Sequence, residues 1–95
     1  VITADLLLGD VHSLKQKRGV VRPIVAELRR RFEVSAAETG AQQLHRRAEI
    51  SATLVAGDHA HVVSVLAACE RLLAGRPEVE LLSTRTRVLD DEDFD

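Results

Sequence analysis

VITADLLLGDVHSLKQKRGVVRPIVAELRRR, residues 1–31, changes period once and only once. In its first eight residues Ile2, Ala4, Leu6 and Leu8 fall on one side, and Thr3, Asp5 and Leu7 on the other, the two-residue repeat of a strand. Gly9-Asp10 breaks that repeat. Ser13 then offers an N-cap, with Gln16 at the third helical position, and Leu14, Val21, Ile24, Val25, Leu28 and Phe32 follow a 3.6-residue period. The stretch therefore predicts a strand, a short loop and a helix reaching about Arg31. From Gly9 onward its polar side is cationic: Lys15, Lys17, Arg18, Arg22 and Arg29 to Arg31 face only Asp10 and Glu27 in acid. Pro23 is the difficulty, because inside a helix it removes an amide donor and its ring presses on the carbonyl of Gly19, a cost of about 3 kcal/mol. The reading favoured is a helix whose first third is distorted.

Downstream, residues 33–38 (EVSAAE) read as a second strand and residues 39–47 as a connection. Residues 48–56 (AEISATLVA) alternate cleanly, with Ile50, Ala52 and Leu54 against Glu49, Ser51, Thr53 and Val55. Asp58 is a good N-cap for a second helix, in which Val62, Val65, Leu66, Cys69, Leu72 and Leu73 form one stripe. Gly75 followed by Pro77 stops it. Residues 79–88 are the last strand, with a bulge, because Val79, Leu82 and Val88 share no single alternation. The order is βαββαβ. Two helices with one apolar stripe each must cover the same face of a four-stranded antiparallel sheet, an α+β, ferredoxin-like sandwich of strand order 4-1-3-2. It forms a single domain over residues 1–89, and the acidic tail, residues 90–95, is expected to be disordered. Val1 opens directly into a strand without a methionine, so native residues are expected before it.

The core must be aliphatic: the chain has no Trp, Tyr or Met, and Phe32 and Phe94 are its two aromatics. The net charge of −2 conceals an asymmetry. Residues 1–47 hold nine Lys/Arg against five Asp/Glu (+4), and residues 48–95 hold four against ten (−6), much of that acid in the tail. The body without the tail is mildly basic. The lone Cys69 excludes an internal disulfide and fits a reducing compartment. No apolar run approaches the roughly 18 residues of a membrane-spanning helix.

On an ideal helix Lys15, Arg18, Arg22 and Arg29 lie within a stripe about 60° wide, beside the apolar arc. Such a stripe is either a solvated helix face or a ridge that tracks phosphates. Lys17 falls by phase into the apolar arc. A regular helix would force it to snorkel; an irregular first turn, which Pro23 favours, lets it point outward beside Lys15. Arg46 and Arg47 either extend the basic patch or pair with Glu38 across the hairpin. Asp5 and Glu49 are expected to meet Arg85 or Arg87 on the open sheet face.

Other chemistries find little support. His59 and His61 diverge by about 200° on a helix and form no metal pair, and clustered Cys or His for zinc are missing, so no metal and no cofactor are expected. Cys69 occupies a core position, where a thiol is usually inert. Neither a P-loop nor a GxGxxG pattern occurs. RNA-recognition motifs stack bases on strand aromatics, and VITADLLL and AEISATLVA hold none, so RNA would be bound through backbone charge and shape. Acylphosphatases carry an arginine in the loop after the first strand and a catalytic asparagine; GDVHSLK lacks the arginine and the chain has no Asn.

The runs LLLGDVHSLKQKR, FEVSAAETG, QLHRRAEI and RPEVELLS resemble the YlxP-like family, a small bacterial family of unknown function, over nearly the whole chain. SLKQKR with SAAE and HRRA before the third strand is a specific combination; the chain departs from the pattern at Gly19 and Pro23. The resemblance implies the ferredoxin-like fold. It also implies cytoplasmic work near RNA or ribosomes, since such genes commonly lie beside an initiation factor and a ribosome-binding factor. It supplies no catalytic residues. The expectation is thus a non-enzymatic module for structured RNA or a ribosomal particle, using Lys15, Lys17, Arg18, Arg22, Arg29, Arg46 and Arg47. The alternative is a homodimer or protein-interaction module built on a sheet edge or the open face, with no membrane partner.

Overall fold

Strand alternation and helix capping set out the elements in the computed structural model, which describes residues 1–90. Chain order is β1 (Ile2–Leu8), α1 (Leu14–Phe32), β2 (Ser35–Gly40), β3 (Arg47–Thr53), α2 (His59–Ala74) and β4 (Val79–Thr86). All strand pairs are antiparallel and the sheet order is β2-β3-β1-β4, the expected 4-1-3-2 read from the other edge. β1 is central: Ile2, Ala4 and Leu6 lie opposite Ala52, Ile50 and Ala48 of β3. These side chains share one face, and both helices cover it. Val21, Ile24, Val25 and Leu28 of α1 join Leu66, Cys69 and Leu73 of α2 and the inner strand residues in one buried cluster. Among the described residues no aromatic side chain is fully buried in this core, so its cohesion comes from many small contacts.

Several features differ from expectation, among them the far ends of β2, at Gly40 rather than residue 38, and of β4, at Thr86 rather than residue 88. α1 is continuous from Leu14 to Phe32, with Pro23 inside it, where a distorted first third was expected. The Ser13 side chain accepts from the Gln16 amide, and Lys17, Val21, Ile24, Val25 and Leu28 are buried on both sides of the proline. Tertiary anchoring outweighs the local defect, and Pro23 itself is exposed. β2 begins at Ser35 rather than at residue 33, because Glu33 ends α1 in a left-handed conformation (φ 54°), its amide bonded to the Arg29 carbonyl. β3 ends at Thr53 rather than at residue 56 because Thr53 lies opposite Ser35, the first residue of β2, and no partner strand remains beyond it.

The bulge expected in β4 is present. Asp5 lies opposite Ser83 and Leu6 opposite Leu81, which leaves Leu82 unpaired and 42% exposed. The extra residue turns Leu81 inward to the core and Ser83 outward. A second irregularity sits in β2, where Glu38 faces Ile50 and Gly40 faces Glu49, so Thr39 is the extra residue. The α2 ends follow their signals: Asp58 accepts from the Ala60 amide, and the Gly75 amide closes on the carbonyls of Arg71 to Leu73. Of the acidic tail expected to be disordered, residues 91–95 lie outside the described residues.

Candidate nucleic-acid interface

A continuous α1 makes the basic stripe a real surface. Lys15, Arg18 and Arg22 are exposed, and among the described residues none of them has an ion-pair or hydrogen-bond partner. Lys15 to Arg22 spans about 10.5 Å along the axis. Arg29, on the same stripe, is used differently: its Nε and Nη2 donate to the Ala36 carbonyl at 3.0 and 2.6 Å. That bond places the stripe on the side of α1 that borders β2, and it puts a cation over the edge of that strand.

Lys17 does not belong to the surface. The expectation that it points outward beside Lys15 is overturned: its residue exposure is 2%. Because the helix is regular, the side chain follows its phase into the core. There its Nζ donates to the Ala41 carbonyl at 2.7 Å and lies 2.7 Å from Glu38 Oε2. Glu38 faces the helix side because it lies opposite Ile50, in step with buried Ala36 opposite Ala52. Glu38 Oε2 is itself buried and receives no aligned hydrogen bond, so Lys17 acts on it as a counter-charge rather than as a donor. The alternative of Arg46 or Arg47 pairing with Glu38 falls with this geometry.

Arg46 holds backbone instead. Its Nε donates to the carbonyls of Leu8 (3.2 Å) and Gly9 (2.9 Å), and its own carbonyl accepts from the Leu8 amide at 2.8 Å. Arg47 is exposed at the start of β3, opposite Leu7. Of the seven cations read from the sequence, Lys15, Arg18, Arg22 and Arg47 thus remain unengaged among the described residues, Arg29 and Arg46 are tied to carbonyls, and Lys17 is interior.

The uncovered sheet face is polar and short-sided. Thr3 and Ser51 hydroxyls meet at 3.1 Å, and the Thr39 hydroxyl reaches both Ser51 (2.7 Å) and Glu49 (2.8 Å). The expected charge pairing is half realised: Arg85 Nη2 lies 3.4 Å from Glu49, whereas Asp5 accepts from the Ser83 hydroxyl and Arg87 is bonded through its backbone to Val1.

A buried-side network escaped the reading of the sequence. Arg76, just past α2, bridges Glu27 of α1 and Glu78, the latter at 2.6 Å. No local spacing signals it, since Glu27 and Arg76 are far apart in the chain. Burial raises the Glu78 carboxyl, but its backbone amide and the Arg76 guanidinium outweigh that, and its pKa is lowered from 4.5. A shallow groove of about 410 Å³ runs past Glu27, Arg31, Phe32, Arg71 and Arg76. Burial pushes the Cys69 thiol up, only partly countered by a backbone hydrogen bond. Among the described residues no group of three or more His, Cys, Asp or Glu could hold a metal ion, and no helix is long and apolar enough to cross a membrane.

Comparison with known proteins adds a family without an activity. The chain is 28% identical over 82 residues to "Uncharacterized protein YlxP" of Bacillus subtilis (strain 168), covering 86% of this chain and 89% of that protein. A family model described as "Protein of unknown function (DUF503)" matches residues 1–86. The chain therefore belongs to the YlxP-like DUF503 family.

Proposed function

We propose that this chain is a non-enzymatic, cytoplasmic binding module of ferredoxin-like fold that holds structured RNA, free or within a ribosomal particle, through the exposed ridge of α1. The single observation behind this reading is the row Lys15, Arg18 and Arg22: three cations on one rigid rod, exposed, with no acid beside them among the described residues. A solvated helix face normally intersperses its charges with acids at i+3 or i+4, and the first turn of α1 contains none. Phosphates are the ligand class that a one-sign ridge attracts, and a ridge of fixed spacing suits a regular backbone. Without aromatic side chains on the central strands, the contact reads charge and shape rather than bases.

The test is affinity for a structured RNA across a salt series, wild type against Lys15→Glu/Arg18→Glu/Arg22→Glu. All three positions are exposed, so the variant keeps the fold by circular dichroism. Each lost phosphate contact flattens the slope of log K on log salt by roughly 0.7–0.9, so the triple variant loses about two units and at least about tenfold in low-salt affinity. Equal binding by both proteins overturns the proposal.

A second reading, a homo-oligomer or protein-interaction module, draws on β4. Arg29 covers part of the β2 edge, while β4 forms the other edge and presents Leu82 at 42% exposure. Light scattering at high concentration decides the homo-oligomer form: a monomer removes it, and a dimer that Leu82→Lys dissociates supports it.

A further inference from the structure

The hairpin between β2 and β3 is fastened at both ends to the elements that carry the basic ridge. Where the chain leaves β2, Lys17 of α1 holds the Ala41 carbonyl and the Glu38 carboxylate, each at 2.7 Å, from a side chain 3% exposed. Ala41 adopts φ 56°, a left-handed conformation that a residue with a Cβ rarely takes, so this turn needs outside support. Where the chain enters β3, Arg46 holds the carbonyls of Leu8, the last residue of β1, and of Gly9, the first of the β1–α1 loop. Within the hairpin the Gln42 side chain donates to the Glu38 carbonyl and the Leu44 amide to the Ala41 carbonyl. Gln43, Leu44 and His45 are left at the tip, exposed, with Leu44 54% exposed. A lysine ammonium withdrawn from water needs partners of this kind; here it has found them where the chain leaves β2.

We infer that Lys17 is a latch rather than a nucleic-acid ligand: it holds the β2–β3 hairpin against the start of α1 so that the tip, Gln43 to His45, forms a second, pre-set contact for the RNA bound on the ridge. The RNA half of this inference rests on the function proposed above; the latch half stands on geometry alone. A fixed second contact lowers the ordering cost of binding without adding a phosphate neutralisation. Lys17 and Lys15, two residues apart, therefore differ in kind.

The experiment measures binding of a short mixed-sequence RNA duplex by fluorescence polarisation over a potassium chloride series, with amide exchange on the same proteins. Lys17→Met keeps the apolar stem, and Lys17→Met/Glu38→Gln removes both charges in case the single variant does not fold. The expected result is affinity reduced about threefold or more at every salt, a salt slope equal to wild type, and hairpin amides, Leu44 among them, exchanging at least about tenfold faster. Lys15→Gln instead lowers the slope by roughly 0.7–0.9 and leaves hairpin exchange unchanged. Gln43→Ala/His45→Ala weakens binding with the slope unchanged. A slope loss in Lys17→Met equal to that in Lys15→Gln overturns the inference, because Lys17 would then be a phosphate ligand. Hairpin exchange at the wild-type rate in the folded charge-free variant overturns the latch. If wild type binds no duplex, the tip's role as an RNA contact is overturned with the ridge, and amide exchange by itself then decides whether Lys17 is a latch.

Discussion

Two side chains show how position in the fold sets chemistry at the residue scale. Cys69 lies in the core cluster with no exposure, and burial raises its thiol pKa, so its thiolate fraction near neutral pH is smaller than that of a free cysteine. Folded protein is expected to resist iodoacetamide at pH 8 and to react in urea; rapid labelling without denaturant would contradict the packing described. Glu78 goes the other way. Its carboxyl is held below its ordinary 4.5, so the folded state favours the carboxylate. The contribution of the Glu78–Arg76 pair is therefore complete above the ordinary glutamate range and is lost as pH falls through the lowered value. Glu78→Gln should flatten the fall of stability with acid in urea titrations below pH 5, and a curve parallel to wild type would exclude Glu78 from that fall.

Local penalty and tertiary gain compete most plainly in α1. Pro23 sits in the helix interior, exposed, facing no partner that needs its ring. Replacing it restores a donor to the Gly19 carbonyl but also frees the unfolded chain, so part of the roughly 3 kcal/mol helix preference of alanine is cancelled. Pro23→Ala is expected to stabilise the fold by about 1–2 kcal/mol, read from the urea midpoint at constant m; destabilisation would mean that the proline shapes the helix. Phase did better than propensity here. The 3.6-residue period put Lys17 among core residues, whereas the sequence offered Glu38 to Arg46 or Arg47, and only the register of β2 on β3 brought that acid to the helix side. Only the suspicion cast by Pro23 turned Lys17 outward in the reading of the sequence. At the ends of β2 and β3 the sequence was less legible, because a strand stops where its neighbour stops, and Ser35 opposite Thr53 is a fact of pairing.

For the whole molecule, the sheet order makes β1 and β3 interior strands and β2 and β4 edges, and both helices lie over one side. Opening β1 requires breaking pairs on both flanks, whereas β4 opens by leaving one. Native-state amide exchange is expected to be slowest in Ile2–Leu8 and faster across Val79–Thr86. Exchange in β4 as slow as in β1 would show that its outer edge is covered, which is the signature of the dimer reading.

The order of residues by itself determined the βαββαβ succession, the two apolar stripes, both N-caps and the bulge in β4, because these depend on periods and on neighbours a few positions away. Tertiary structure alone decided which partner each engaged cation has. Lys17 found Glu38 and Ala41, Arg29 found Ala36, Arg46 found Leu8 and Gly9, and Arg76 found Glu27. The reason is physical: a charge is assigned its role by what lies within a few ångströms of it, and for these side chains those atoms are brought in by the crossing of separate segments.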